Sequence, residues 1–186
     1  MMKRKFFTTQ DMILASIFTA LIAIGAFIRI PIPVVPFTLQ VTFVILAGLL
    51  LGGKWGAMSA FTYMLLGLVG LPIFTQGGGL SYVLQPTFGY IIGFCFGAYV
   101  TGTIANKVPR PSYKRLLTAA FAGLGIVYLI GMIYFFAISN FVLGTGIEIW
   151  PLFLYCFLVF VPGDGTLCIL SAILAKRIIP VINRRR

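Results

Sequence analysis

LLTAAFAGLGIVYLIGMIYFFAISNFVL, residues 116–143, runs without a single Asp, Glu, Lys or Arg. An α-helix rises about 1.5 Å per residue, and roughly 20 apolar residues cross a bilayer. No water exists in hydrocarbon to satisfy backbone amides and carbonyls, so a run of this kind has to bond internally as a helix. Similar runs lie on either side of it. Those from Asp11 to Ile30, Thr38 to Leu51 and Trp55 to Leu71 precede it, with Pro86 to Ala105 next to it. A last run from Trp150 to Ile179 is interrupted at Pro162-Gly163-Asp164-Gly165. The pattern predicts an all-α membrane protein of six transmembrane helices, spans roughly 11–30, 38–51, 55–71, 86–105, 116–143 and 150–179, in a single transmembrane domain over 1–186.

Composition leads to the same solvent. Of 186 residues 60% are hydrophobic and 9% charged, too little polar material for the surface of a water-soluble domain. The net charge of +11 raises nucleic acid as a partner. The basic residues are scattered through the gaps between apolar runs instead of forming one patch, and nucleic acid is not expected. Residues 1–5 resemble the basic start of a signal peptide, but the apolar run that follows is too long and has no A-x-A-like cleavage site. It is read as the first span, retained.

Placing the amino terminus inside assigns thirteen of the 14 Lys and Arg to the inner side: positions 3–5, Lys54, four between 107 and 115, Lys176, Arg177 and residues 184–186. Arg29 alone falls outside. Cytoplasmic loops collect lysine and arginine, so the expectation is a multi-pass cell-membrane protein with both termini cytoplasmic. An odd number of spans would split the basic segments between the two faces. The proline-rich connection 31–37, the glycine-rich segment 72–85 and the loop 144–149 then face outside, where a loop-built pocket would open. The basic inner turns suit a partner or anionic lipid headgroups.

Little conventional chemistry is available. Histidine is absent, and Cys95, Cys156 and Cys168 lie in apolar runs without metal-ligand spacing, so they read as small buried hydrophobes. No paired carboxylates, Ser-His or Cys-His arrangement points to an enzyme, and the glycines match no phosphate-binding fingerprint. No cofactor or metal is expected. Of three acidic residues, Asp11 opens the first helix, where the helix dipole favours it, and Glu148 sits in an outer loop. Asp164 lies within the last apolar run, and an ionisable group at that depth is costly unless it has work to do. Capping the resumed helix is the structural alternative. Arg29 either snorkels to the interface or attracts an anionic ligand group. Amide and hydroxyl side chains gather near the outer loops: Thr38, Gln40, Thr75, Gln76, Ser81, Tyr82, Gln85, Thr87 and Tyr90, beside Gly77, Gly78 and Gly79. They either bond to neighbouring helices or line a polar pocket. Small residues on the first helix (Ala15 with Thr19, Ser16 with Ala20, Thr19 with Ala23) allow close approach of another helix, from this chain or from a separate subunit.

Four stretches, IPIPVVPFTLQ (30–40), GLVGLPIF (67–74), PTFGYIIGF (86–94) and VPGD (161–164), resemble BioY proteins, the biotin-binding S components of energy-coupling factor (ECF) transporters. They lie in order across most of the chain. The resemblance implies an S-component-like six-helix bundle that binds biotin near the outer face. It also implies work with a transmembrane coupling subunit and two ATPase subunits, biotin being the small-molecule ligand. By position Asp164 matches the family's carboxylate after Pro-Gly, suited to the two N–H donors of a ureido ring. Tyr90 matches the tyrosine of a Gly-Gly-Tyr pattern, and Gln40 the glutamine after the proline loop. Two positions depart from the family pattern: Leu167 stands where Gly-Asp-x-x-Lys has its lysine, and Gln76-Gly77-Gly78-Gly79 lacks the loop asparagine. Arg29 or amides would then replace the missing cation. The substrate-binding residues expected are Asp164, Tyr90, Gln40, Gln85, Gln76, Ser81, Gly79, Thr38 and Arg29. Alternatives are an S component for a biotin-like or other vitamin, a membrane enzyme, or a structural subunit or small channel.

Overall fold

A computed structural model of the protein describes residues 9–30 and 35–185, with side chains placed as far as residue 182. The basic residues at 3–5, the stretch 31–34 of the proline loop and the side chains at 184–186 lie outside the described residues. Seven helical segments follow one another: α1 (Thr9–Phe27), α2 (Gln40–Leu51), α3 (Gly53–Leu68), α4 (Phe88–Ala105), α5 (Tyr113–Ala137), α6 (Ile149–Phe153) and α7 (Val161–Arg185). The last two form one broken run, giving six membrane helices. By length and apolarity four runs cross a bilayer unaided: Thr9–Phe27, Phe88–Ala105, Tyr113–Val142 and Ile149–Ile182. With 12 and 16 residues, α2 and α3 are shorter than the roughly 20 of a full span. The two are joined at Gly52, whose φ of 89° sits in the region that glycine enters without steric cost.

Outward faces are apolar on every long helix: Ile17 and Ile24 on α1, Phe96 on α4, Leu129 and Ile133 on α5, Leu170 and Leu174 on α7 are all exposed. In water such a surface would drive association; in hydrocarbon it is the ordinary boundary of a membrane protein. Inside, α4 packs between α2 and α3 on one side and α5 on the other, while α7 rests on α5 and α2. Glycines bring the backbones together. A Cβ at Gly102 would lie 2.1 Å from the backbone nitrogen of Gly53, and one at Gly97 would lie 2.5 Å from Val127 Cγ2. Small residues are what permit such contact where no hydrophobic drive separates helix from lipid.

The two ends of the bundle differ in charge. At one end Asn106 Nδ2 donates to the carbonyls of Gly48, Leu49 and Gly102, Lys176 Nζ donates to Pro111 O at 2.7 Å, and Arg115 Nε donates to Ile104 O at 2.8 Å. Lys54, Lys107, Arg110, Lys114 and Arg177 share this end. Arg29 is at the other, beside the connections 28–39 and 69–87. The start of α1 and the end of α7 both lie at the basic end.

Several details differ from the sequence expectation. Phe37–Thr38 pairs with Arg29–Ile30 as a two-residue antiparallel ribbon, β1 with β2, so α2 starts at Gln40 instead of Thr38. The α5 run starts at Tyr113 and closes in a π turn, Ile138–Val142. The break in the last run comes before Pro162, not at it: a π turn spans Leu154–Leu158, and α7 begins at Val161. Pro162 occupies the first turn of α7, where its missing N–H has no intrahelical acceptor to lose. Asp164 is therefore not an N-cap; its amide donates to Phe160 O at 2.9 Å. The helix also continues past Pro180. On α1, Ala15 and Thr19 face the chain's own α3, with Thr19 Oγ1 donating to Ser59 O at 3.0 Å. Ser16 and Ala20 stay exposed.

Candidate functional site

The uncharged segment 69–87 folds over the end of the bundle opposite the basic turns. A β-bridge joins Phe74 and Gly77, the Gly79 amide donates to Gly67 O at 2.7 Å, and a 3-10 turn spans Leu80–Leu84. The plug of this segment is Phe74, 1% exposed. Its ring meets Tyr63 edge-on with centroids 5.4 Å apart and packs on Tyr82 at 4.6 Å. Gly67 is the floor: a Cβ there would fall 2.1 Å from Phe74 Cζ. Further along, Tyr134 Oη of α5 donates to Val83 O at 2.6 Å.

The other cover comes from the ribbon. Phe37 stacks on Phe160 with centroids 6.0 Å apart and also presses on Gly163, where a Cβ would lie 2.8 Å from Phe37 Cε2. The two covers are tied to each other by Arg29, whose Nη1 donates to Thr75 O; on the ribbon side, Thr38 Oγ1 reaches Gln40 Oε1 at 3.4 Å. Gln40 Nε2 donates to Tyr63 Oη at 2.7 Å, and Tyr63 Oη to Ile73 O at 3.0 Å.

Beneath these covers lies a cavity whose unfilled space, open mouth included, is about 590 Å³. Its outer wall is Val35, Pro36, Phe37 and Thr38; its inner walls are Val41 of α2, Ile91 and Phe94 of α4, and Phe160 at the broken helix. Polar groups are few: Gln40, Thr75, Tyr82, Thr87, Tyr90, Tyr128 and Asp164. Asp164 is 3% exposed. Tyr128 Oη donates to its Oδ2 at 2.5 Å, while Oδ1 has no hydrogen-bond partner among the described residues, and neither does the buried Oγ1 of Thr87. Tyr90 Oη donates to Cys156 O at 3.0 Å, within the π turn. Gly131 makes room for the Tyr90 ring, since a Cβ there would be 2.5 Å from Cδ1. π turns inside α-helices recur at functional sites.

A buried carboxylate with one oxygen unpaired is costly in an apolar interior. Its place in the first turn of α7 offsets part of that cost through the helix dipole. The arrangement is a greasy slot with one acidic acceptor at its inner wall, suited to a ligand with an apolar body and N–H donors at its head. Among the described residues no group of three His, Cys, Asp or Glu side chains is placed to hold a metal.

Of the residues singled out from sequence, Asp164, Tyr90, Gln40 and Thr38 come together on the cavity wall. Gln76, Ser81 and Gln85 are exposed on the outer segment, and Gly79 with φ 100° turns the chain into its 3-10 turn. Arg29 is exposed and clasps Thr75, whose other face lines the cavity. Leu167 is not among the lining residues. Sequence reasoning passed over Tyr128, together with the rings of Phe94 and Phe160. Each stands in an unbroken apolar run, where a tyrosine or phenylalanine carries no signal of the side it faces.

A model described as the BioY family matches residues 1–184. A protein named probable biotin transporter BioY, from Lysinibacillus sphaericus, is 45% identical over 179 residues, covering 96% of this chain and 91% of that one. The biotin transporter BioY of Thermotoga maritima is 48% identical over 124 residues, 66% of this chain and 72% of that one. Among solved structures, the S-component for biotin from an ECF-type ABC transporter superposes with a TM-score of 0.79 at 29% identity, covering 92% of this chain and 94% of that one.

Proposed function

This chain belongs to the BioY family, and on that premise we propose that it is the biotin-binding membrane subunit of a vitamin-uptake system, a carrier component and not an enzyme. The observation that carries the reading is the unpartnered Oδ1 of the buried Asp164 at the wall of an apolar cavity. Biotin presents the complement: a ureido head with two N–H donors, an apolar bicycle and a chain ending in a carboxylate. A carboxylate accepting N–H donors in a low-dielectric slot makes a strong, charge-assisted bond. The rings of Phe37, Phe94 and Phe160 provide the apolar contact. Gln40 and Thr38 hold the cover, and Tyr90 holds the π turn. The outer-segment residues Gln76, Gly79, Ser81 and Gln85, with Arg29, form the entrance.

The chain works as a single transmembrane domain within an energy-coupled assembly. A transmembrane coupling subunit and two ATPase subunits supply the energy in the proposed assembly, docking from the basic end. Both termini lie in the cytoplasm, which puts Lys54, the 106–115 turn and Lys176 on the inner face, in keeping with the distribution of cationic residues in membrane proteins. The cavity then opens outward.

Native mass spectrometry tests the binding claim. Protein purified in detergent, incubated with biotin and released into the gas phase carries one added biotin per chain. Only ligand-free protein at saturating biotin would overturn the proposal.

A further inference from the structure

We infer that Tyr128 is a positioning residue for the ligand head: it occupies one oxygen of Asp164 so that the carboxylate offers the ligand a single, fixed acceptor. The inference rests on the biotin-binding reading and adds to it the group that orients the acidic acceptor.

Asp164 has two oxygens in different circumstances. Oδ2 receives the Tyr128 hydroxyl at 2.5 Å, and Oδ1 receives nothing from the described residues. A carboxylate on a single Cγ turns about its χ2 torsion at little cost, so an unrestrained one would present either oxygen, or both, to a ligand. The Tyr128 bond removes that freedom. Tyr128 is itself held: it is 4% exposed, and its ring meets Phe157 edge-on with centroids 5.1 Å apart. Helices α5 and α7 thus meet at one hydrogen bond, with the Leu154–Leu158 π turn packed on the tyrosine ring.

One turn along α7 from Asp164 the side chain is Leu167, and among the described residues Asp164 has no ion-pair partner. A neutral phenol restrains the carboxylate without setting a counter-charge beside it, so its acceptor character stays facing the slot. An acceptor-only head group would be repelled there, and an N–H donor drawn in. Thr87 Oγ1, also buried and unpartnered on the same cavity wall, provides a second short-range contact able to donate or accept.

Two measurements separate this proposal from a merely structural role for the tyrosine. The first needs no ligand. Infrared difference spectra, with Asp164→Asn used to isolate the Asp164 band, are compared for wild-type and Tyr128→Phe protein. Loss of the phenol donor shifts that band; an unmoved band overturns the proposal whatever the protein binds. Should Tyr128→Phe fail to fold, 3-fluorotyrosine incorporated at Tyr128, a stronger donor of nearly the same shape, has to move the same band, and an unmoved band again overturns it.

The second is a double-mutant cycle on biotin affinity. Hydrogen bonds to charged groups of this kind predict roughly 10- to 100-fold weaker binding for Tyr128→Phe. Because Tyr128 acts through Asp164, adding Tyr128→Phe to Asp164→Asn costs less than about 3-fold more. Independent, multiplying losses would overturn the positioning role. Wild-type protein that binds no biotin would sink the biotin reading, with the infrared result still deciding on Tyr128.

Discussion

Gln40 Nε2 donates to the hydroxyl of Tyr63 at 2.7 Å, and that hydroxyl donates onward to the carbonyl of Ile73 at 3.0 Å. A glutamine at the first turn of α2 is thereby joined to the segment that covers the cavity. Both side chains are buried, Gln40 at 4% and Tyr63 at 0% exposure, so neither can replace its partner with water. The bond fixes the height of the cover over the slot.

Tyr63→Phe removes the middle of this chain and leaves the Gln40 amide and the Ile73 carbonyl unsatisfied. Polar bonds between membrane helices are worth about 1 kcal/mol, so thermal unfolding in detergent moves down by only a few degrees. Ligand release is the larger effect, since the cover is no longer tied at this point. A dissociation rate unchanged from wild type would show that the bond has no part in closing the cavity.

Gly163→Ala puts a methyl group against the ring of Phe37, within 2.8 Å of Cε2 and 2.9 Å of Cζ. Overpacking of this kind costs about 1–3 kcal/mol. The ring has to move out of the cavity wall, and biotin binding weakens along with stability. Shrinking the ring by Phe37→Leu in the same protein restores stability in the unfolding assay. A Gly163→Ala variant as stable as wild type would mean the ring is free to retreat.

Arg29 holds Thr75 O from an exposed position, which predicts a role in gating rather than in affinity for the ligand head. Arg29→Gln raises the dissociation rate several-fold and leaves the unfolding temperature nearly unchanged, because an exposed contact contributes under about 1 kcal/mol. The effect is equal for biotin and for its methyl ester. A loss confined to free biotin would show that the guanidinium binds the ligand carboxylate instead.

The proposed orientation is open to labelling. With Cys95, Cys156 and Cys168 replaced by alanine, Lys107→Cys in intact cells is protected from a membrane-impermeant maleimide, whereas Thr145→Cys is modified. The reverse pattern would invert the cavity.

The sequence carried the helices and the deepest feature of the site for the same reason. Hydrocarbon leaves a chain few options, so apolar runs are helices and a lone carboxylate such as Asp164 stands out. Rotation about a helix axis was not legible in this way. Tyr128 sits among 28 uncharged residues, and only the packing of α5 on α7 turns its hydroxyl toward Asp164. The outer segment was illegible for a related reason: Gln76, Ser81 and Gln85 are as polar as Gln40, yet a 3-10 turn and the Phe74 plug leave them on the surface. Proline usually stops a helix, so the sequence points to a break at Pro162-Gly163-Asp164-Gly165. Here the proline begins one, and the π turn that breaks the run has no proline at all.

Everything proposed about the ligand converges on the open oxygen of Asp164, and calorimetric titration of biotin into wild-type and Asp164→Asn protein measures it directly. The two side chains are nearly the same size, so the substitution removes charge and one acceptor without emptying the site. Saturable binding to one site per wild-type chain, weakened at least about 10-fold by the substitution, is the predicted result. Equal affinities for the two proteins would contradict the account.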